Sequence, residues 1–217
     1  MNEALHTFFL GGKTVYLLPE KCIFLPENAT LVLADIHLGK AAHFRKSGII
    51  IPANAGTLQD YAKLHRLISK YQPKRILFLG DLFHSDTNKS WQHFLDFFHL
   101  YPQIKLILVR GNHDILPENV YQEANLALWE EQLEEEFIIY SHAPLAAVPS
   151  GMLNIAGHVH PATILTGKGK QKLRLPCFHY QPPLFLLPAF GDLTGTFILP
   201  KGNAKQFVVT NKSVVAL

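Results

Sequence analysis

Five apolar runs in this chain each stop abruptly at a polar tip. TLVLADIH delivers Asp35 and His37, RILFLGDLFH delivers Asp81, IKLILVRGNHD delivers Asn112 and His113, EFIIYSHAP delivers His142, and LNIAGHVHP delivers His158 and His160. A short continuous run of β-favouring apolar residues reads as a buried strand. Strands of that kind belong to α/β sheets, whose ligands sit beyond the carboxyl ends, so tips distant in sequence can converge on one small volume. We read that volume as a two-metal site with Asp81 between the ions. Oxygen and imidazole donors without thiolates suit borderline-hard cations such as manganese, iron or zinc, and composition does not choose among them. Gly80, Gly111 and Gly157 each precede a ligand, where a strand must turn sharply and backbone must pass close to a bound ion.

The chain is 217 residues long with 48% hydrophobic residues, enough for one substantial core. It shows no repeat, low-complexity tract or linker, so we expect a single domain over residues 1–217. Cys22 and Cys177 have no ligand-like spacing; they read as small buried hydrophobes, and their scarcity suits a reducing compartment. The start, MNEALHTFFLGG, lacks the basic flank and long apolar core of a signal peptide. No apolar run is long enough to span a bilayer. The expectation is a cytoplasmic protein without a membrane partner. A formal charge of +3 is too small by itself to imply nucleic acid. Two divalent cations would more than double it and favour an anionic substrate.

Along the chain, residues 1–30 read as two short strands around GGKTVYLL followed by a Pro-flanked loop, PEKCIFLPEN. The stretch LGKAAHFRKSGIIIP reads as a long loop whose Lys40, His43, Arg45 and Lys46 are candidate substrate contacts, although a merely solvated connection fits as well. Helical spacing predicts helices over 53–71, with Leu58, Tyr61, Ala62, Leu64, Leu67 and Ile68 inward, and over 90–101 from a Ser90 N-cap, burying Trp91, Phe94, Leu95 and Phe98. Residues 117–123 read as a helical turn, and LALWEEQL as strand or helix. Glu130, Glu131, Glu134, Glu135 and Glu136 form a solvated acidic edge. TGKGKQKLRLP reads as a basic hairpin, and His179 as a structural residue on a strand.

In chain order the tips spell DxH, GD, GNHD, H and GHxH. This pattern resembles the calcineurin-like metallophosphoesterases, element for element. The resemblance implies a four-layer metallophosphoesterase-type α/β fold, in which a central two-sheet β-sandwich is flanked by helices and carries the site at one edge. It implies that Asp35, His37, Asp81 and His160 hold one divalent metal ion and Asp81, Asn112, His142 and His158 the other, with manganese favoured. Two ions roughly 3.5–4 Å apart would activate a hydroxide for in-line attack on phosphorus. His113 would protonate the departing oxygen, Asp114 would orient its imidazole or close the loop by hydrogen bonding, and His84 could reach the substrate or back up a ligand. DIHLGKAAHFRKSGIIIP, GDLFHS and LPAFGDLTG look further like the ligase-associated DNA damage response endonucleases, the PdeM subgroup. That likeness implies DNA as substrate, a repair setting, and association with a DNA ligase and with helicase or exonuclease repair proteins.

Three functional readings compete. The first is a phosphodiesterase or endonuclease on DNA, gripped through Lys40, Arg45 and Lys46 by salt-sensitive backbone contacts. The second is a hydrolase of small phosphoesters, such as a cyclic nucleotide or nucleotide sugar. The third, an inactive metal-binding scaffold, is disfavoured because no ligand of the pattern is missing.

Overall fold

A computed structural model describes residues 6–46, 48, 50, 52, 56–83 and 89–217, the side chains of 42, 43, 46 and 89 excepted. The chain opens with strands β1 (His6–Leu10), β2 (Lys13–Leu18), β3 (Cys22–Leu25) and β4 (Thr30–Leu33). Helices α1 (Lys40–Lys46) and α2 (Thr57–Tyr71) lead to β5 (Arg75–Leu79), then α3 (Lys89–Phe98), β6 (Lys105–Val109), α4 (Glu118–Glu123) and β7 (Leu126–Trp129). The second half is all strand: β8 (Gln132–Glu135), β9 (Ile138–Ser141), β10 (Leu153–Ala156), β11 (Pro161–Thr166), β12 (Lys172–Gln181), β13 (Leu184–Leu186), β14 (Phe197–Ile198), β15 (Lys205–Val209) and β16 (Val214–Ala216).

β1 to β7 form one sheet in sequence order, antiparallel from β1 to β4 and parallel from β4 to β7. The second sheet runs β14-β11-β12-β13-β10-β9-β8, with β15 beside β12 and β16 beside β15. The parallel strands are apolar on both sides because both sides are covered. Leu31, Leu33, Ile76, Phe78, Leu106 and Leu108 face a core built with Leu64, Leu67 and Ile68 of α2, Trp91, Phe94 and Phe98 of α3, and Tyr121 of α4. Val32, Leu77, Leu79, Ile107 and Val109 face the other sheet, meeting Tyr140, Ile155, Phe178, Phe185 and Phe207. The two-sheet sandwich thus carries α2, α3 and α4 on one outer face. On the other, buried Asn154 and Gln206 are tied to loop backbone, Leu145 N–H donating to Asn154 Oδ1 at 3.0 Å and Gln206 Nε2 donating to Leu199 O at 3.1 Å.

Several local expectations are corrected. CIFL is a fully buried strand, β3, because its neighbours in the sheet supply the burial that its flanking prolines seemed to forbid. The basic stretch after His37 contains a helix, α1, rather than being loop throughout. LALWEEQL resolves into β7 and β8, which belong to different sheets. The acidic edge is paired as well as solvated: Glu135 binds the Arg75 guanidinium, Glu136 pairs with Lys13 and Glu130 with Arg110. No described helix is long and apolar enough to cross a membrane.

Candidate metal centre

Register brings the tips level. Leu33 pairs with Phe78 and Leu79 with Val109, so the chain ends beyond β4, β5 and β6 fall side by side. Ala156 opposite Ser141 does the same for the ends of β10 and β9. Backbone bonds then lace the tips together: Asp35 N–H donates to Gly80 O, His37 N–H to Asp81 O, and Gly157 N–H to His142 O.

Two ligand groups result, Asp35, His37 and His160 in one and Asp81, His142 and His158 in the other, each with its donor atoms within 4.8 Å of one another. They adjoin, since His37 Nε2 lies 3.7 Å from Asp81 Oδ2 and His142 Nδ1 lies 4.0 Å from Asp35 Oδ1. Asn112 joins the second group through its Oδ1, 3.0 Å from His142 Nε2.

The donor set fits cations. Asp35 is 0% exposed and Asp81 3%, and among the described residues their ion-pair partners within 4 Å are histidines. Buried carboxylates without a positive partner are strongly unfavourable. Asp35 Oδ1 and His160 Nε2 lie 3.1 Å apart, both buried and neither hydrogen-bonded. His142 can donate its Nδ1 proton to Leu79 O at 3.0 Å, and its Nε2 then lies 3.0 Å from both Asn112 Oδ1 and His158 Nδ1. In that tautomer Nε2 and Oδ1 are both acceptors, and a cation relieves such a pairing.

The backbone is bent to make this cage. Asp35, His37, Asp81, His158 and His160 all have φ between 51° and 64°, a left-handed conformation that non-glycine residues adopt at a cost of about 1–2 kcal/mol each. Gly80, with φ +72°, also makes a close approach, since a Cβ there would stand 2.3 Å from His142 Nδ1. At Gly157 the constraint is contact alone, 2.6 Å from Asp35 Oδ2. One oxygen of each aspartate is steered by a neighbouring amide: His158 N–H donates to Asp35 Oδ2 and His113 N–H to Asp81 Oδ1, both at 2.9 Å.

His113 is half-buried with its ring centroid 5.4 Å from that of His37. Asp114 is buried, and its described hydrogen bonds go to backbone rather than to His113: Leu82 N–H and Phe83 N–H donate to Oδ1, and Gly111 N–H to Oδ2. These bonds close the loop and are compatible with the orienting role expected of it. Burial pushes its carboxyl up to about 6, against the pull of those amides. Lys40 starts α1 and is half-buried near Asp35 and Asp81; burial lowers its ammonium pKa while the two carboxylates raise it. Arg45 is exposed on α1, where His43 and Lys46 also lie. His84 falls outside the described residues.

One supporting cluster was not foreseen. α2 turns Asp60 and Lys63 inward while Leu58 and Ala62 face out. Lys63 Nζ binds Asp60 Oδ1 at 2.8 Å, Asp192 Oδ1 at 2.8 Å and Phe190 O at 2.7 Å, and Lys21 Nζ reaches Asp192 Oδ1 at 3.4 Å. These charges fasten the segment 187–195, whose Phe190 N–H and Gly191 N–H donate to Ala34 O and Asp35 O.

With that geometry in hand, the comparisons are decisive for family. The profile described as Calcineurin-like phosphoesterase matches residues 29–194, a span that includes every proposed ligand. The chain belongs to that family. Its fold is similar to that of a Pseudomonas putida nuclease, MPE, at a TM-score of 0.82 and 28% identity over 99% of this chain and 100% of that one. A phosphoesterase from E. coli, Yfce, aligns at a TM-score of 0.43 and 16% identity over 86% of this chain and 96% of that one, a likeness too slight to bear on the site. No curated protein sequence matches the chain. As a calcineurin-like phosphoesterase it is a metal-dependent phosphoester hydrolase with two groups of metal-binding residues.

Proposed function

We propose that this protein is a phosphodiesterase on nucleic acid, a nuclease with DNA as substrate. The observation that carries the reading is its likeness to a nuclease along the whole chain. The shape of the site supports it: Asn112 and His158 are exposed, and an open cage admits a polymer lying across it, whereas small molecules are usually enclosed.

Asp35, His37, Asp81 and His160 would hold one divalent cation and Asp81, Asn112, His142 and His158 the other. Bound there, a pair of cations, manganese by preference, supplies the charge that acidifies water and offsets the phosphate's negative charge. Asp81 would serve both groups. Steering by the His158 and His113 amides keeps the two carboxylates oriented before substrate arrives. His113, outside the ligand set but beside His37, hands a proton to the departing oxygen. Lys40 and Arg45 meet flanking phosphates from α1. A repair setting, with a DNA ligase and helicase or exonuclease proteins as partners, follows from the subgroup resemblance and completes the proposal.

Manganese-loaded protein is incubated with supercoiled plasmid, a single-stranded oligonucleotide and a cyclic nucleotide. Nicking or oligonucleotide cleavage that stops with chelator is expected. Turnover of the cyclic nucleotide with both nucleic acids intact would overturn the reading.

A further inference from the structure

Phe197 stands 60% exposed on the two-residue strand β14. Its N–H donates to His160 O at 2.8 Å, and it pairs with Pro161 at the start of β11, so its backbone is fastened to the loop that carries His158 and His160. With those two histidines, Val159, Gly195 and Thr196 it lines an open cavity of ≈ 520 Å³, within the range of ligand-binding clefts. Nothing lies within 4 Å of a Cβ built on Gly195, which leaves room at that side of the cavity.

We infer that Phe197 is the platform on which a nucleobase flanking the scissile diester stacks. The inference rests on the nucleic-acid reading above. His158 and His160 belong to different ligand groups and both face this cavity, so a diester centred on the cage directs one of its arms into it. A nucleic acid arm offers a flat base, and an exposed aromatic ring is its ordinary partner. The adjoining β11–β12 hairpin carries exposed Lys168, Lys170, Lys172 and Arg174, cations along which the next phosphates of the same strand can lie. An aromatic step followed by a row of cations suits single-stranded nucleic acid. Stacking uses the π face that every base possesses, so the contact discriminates little among sequences.

A double cycle tests this on the full manganese-loaded protein. The wild type, Phe197→Ala and Phe197→Trp are each assayed on a single-stranded oligonucleotide carrying either a natural residue or an abasic tetrahydrofuran beside the cleaved linkage. Phe197→Ala should raise KM on the natural strand by about 5- to 150-fold, the range that base–aromatic stacking spans. Phe197→Trp should restore it. Removing the base should cost the wild type a similar factor, and removing ring and base together should cost no more than either alone. Fluorescence of 2-aminopurine at the same position should be quenched on binding by the wild type and not by Phe197→Ala. An unchanged KM, or two losses that multiply, overturns the stacking role while the wild type's own cleavage keeps the nuclease reading standing. A wild type that nicks plasmid but cleaves no oligonucleotide overturns the stacking role alone, and one that cleaves neither removes both. Should Phe197→Ala not melt like the wild type, Phe197→Leu takes its place in the cycle.

Discussion

Asp81 is the side chain on which the proposed chemistry most depends. It is buried, takes a left-handed φ of 51°, accepts the His113 amide and stands between two histidine groups. Asp81→Asn keeps the size and the amide contact but removes the charge. We expect manganese affinity to fall by more than the 10- to 100-fold that losing an orienting partner typically costs, read by titration calorimetry, with plasmid nicking lost and the far-ultraviolet circular dichroism unchanged. Asp114 carries a structural load as well. Asp114→Ala strips acceptors from the buried Leu82 and Gly111 amides, and at about 1–3 kcal/mol for each orphaned donor urea unfolding should show a loss of about 2–6 kcal/mol. Its sequence neighbourhood, GNHD, suggested an orienting pair with a loop-closing bond beside it; only the fold reveals which amides its two oxygens accept.

Among the elements, the strands announced themselves and the short helices did not. A strand covered on both faces must be apolar throughout, so β4, β5, β6, β9 and β10 wrote their ends into the sequence as abrupt polar tips. α1 has seven residues and a basic composition, too short for its periodicity to stand out. α2 was legible as a helix, and its Leu64, Leu67 and Ile68 face inward as expected, but the same face also carries Asp60 and Lys63, which pattern-reading assigns to solvent. β14, at two residues, has no pattern at all, and Phe197 was passed over for that reason. The unforeseen charge cluster yields a pH prediction. Burial, then the neighbouring Lys63 ammonium, push the Lys21 pKa down to about 8, against Asp192 and Asp60. Between about pH 8 and the ordinary lysine value near 10.4 the unfolded chain holds a proton that the folded protein has released, so this group adds stability as pH rises through that window. Compared with Lys21→Gln, the wild type should gain about 2 kcal/mol between pH 7.5 and 9.5 in urea titrations; parallel profiles would refute it.

At the scale of the whole molecule, the proposed ligands divide between the two sheets. Asp35, His37, Asp81 and Asn112 follow strands of the first, and His142, His158 and His160 follow strands of the second. Cations bound among them therefore fasten one sheet to the other, and anything that binds only the folded state raises its stability by mass action. At 100 times the dissociation constant each site adds about 2.7 kcal/mol, so the melting midpoint should climb by about 5–10 °C per occupied site. Scanning calorimetry with manganese against chelator measures the shift, and Asp81→Asn should largely abolish it.

The ligands run in chain order up to His160, and the strand that flanks β10, β13, is encoded later still. A chain emerging from the ribosome thus carries only fragments of a cage for most of its synthesis. Capture of cations by the full set therefore waits at least until His160 has been made, and the pairing of β10 with β13 waits for residues later still.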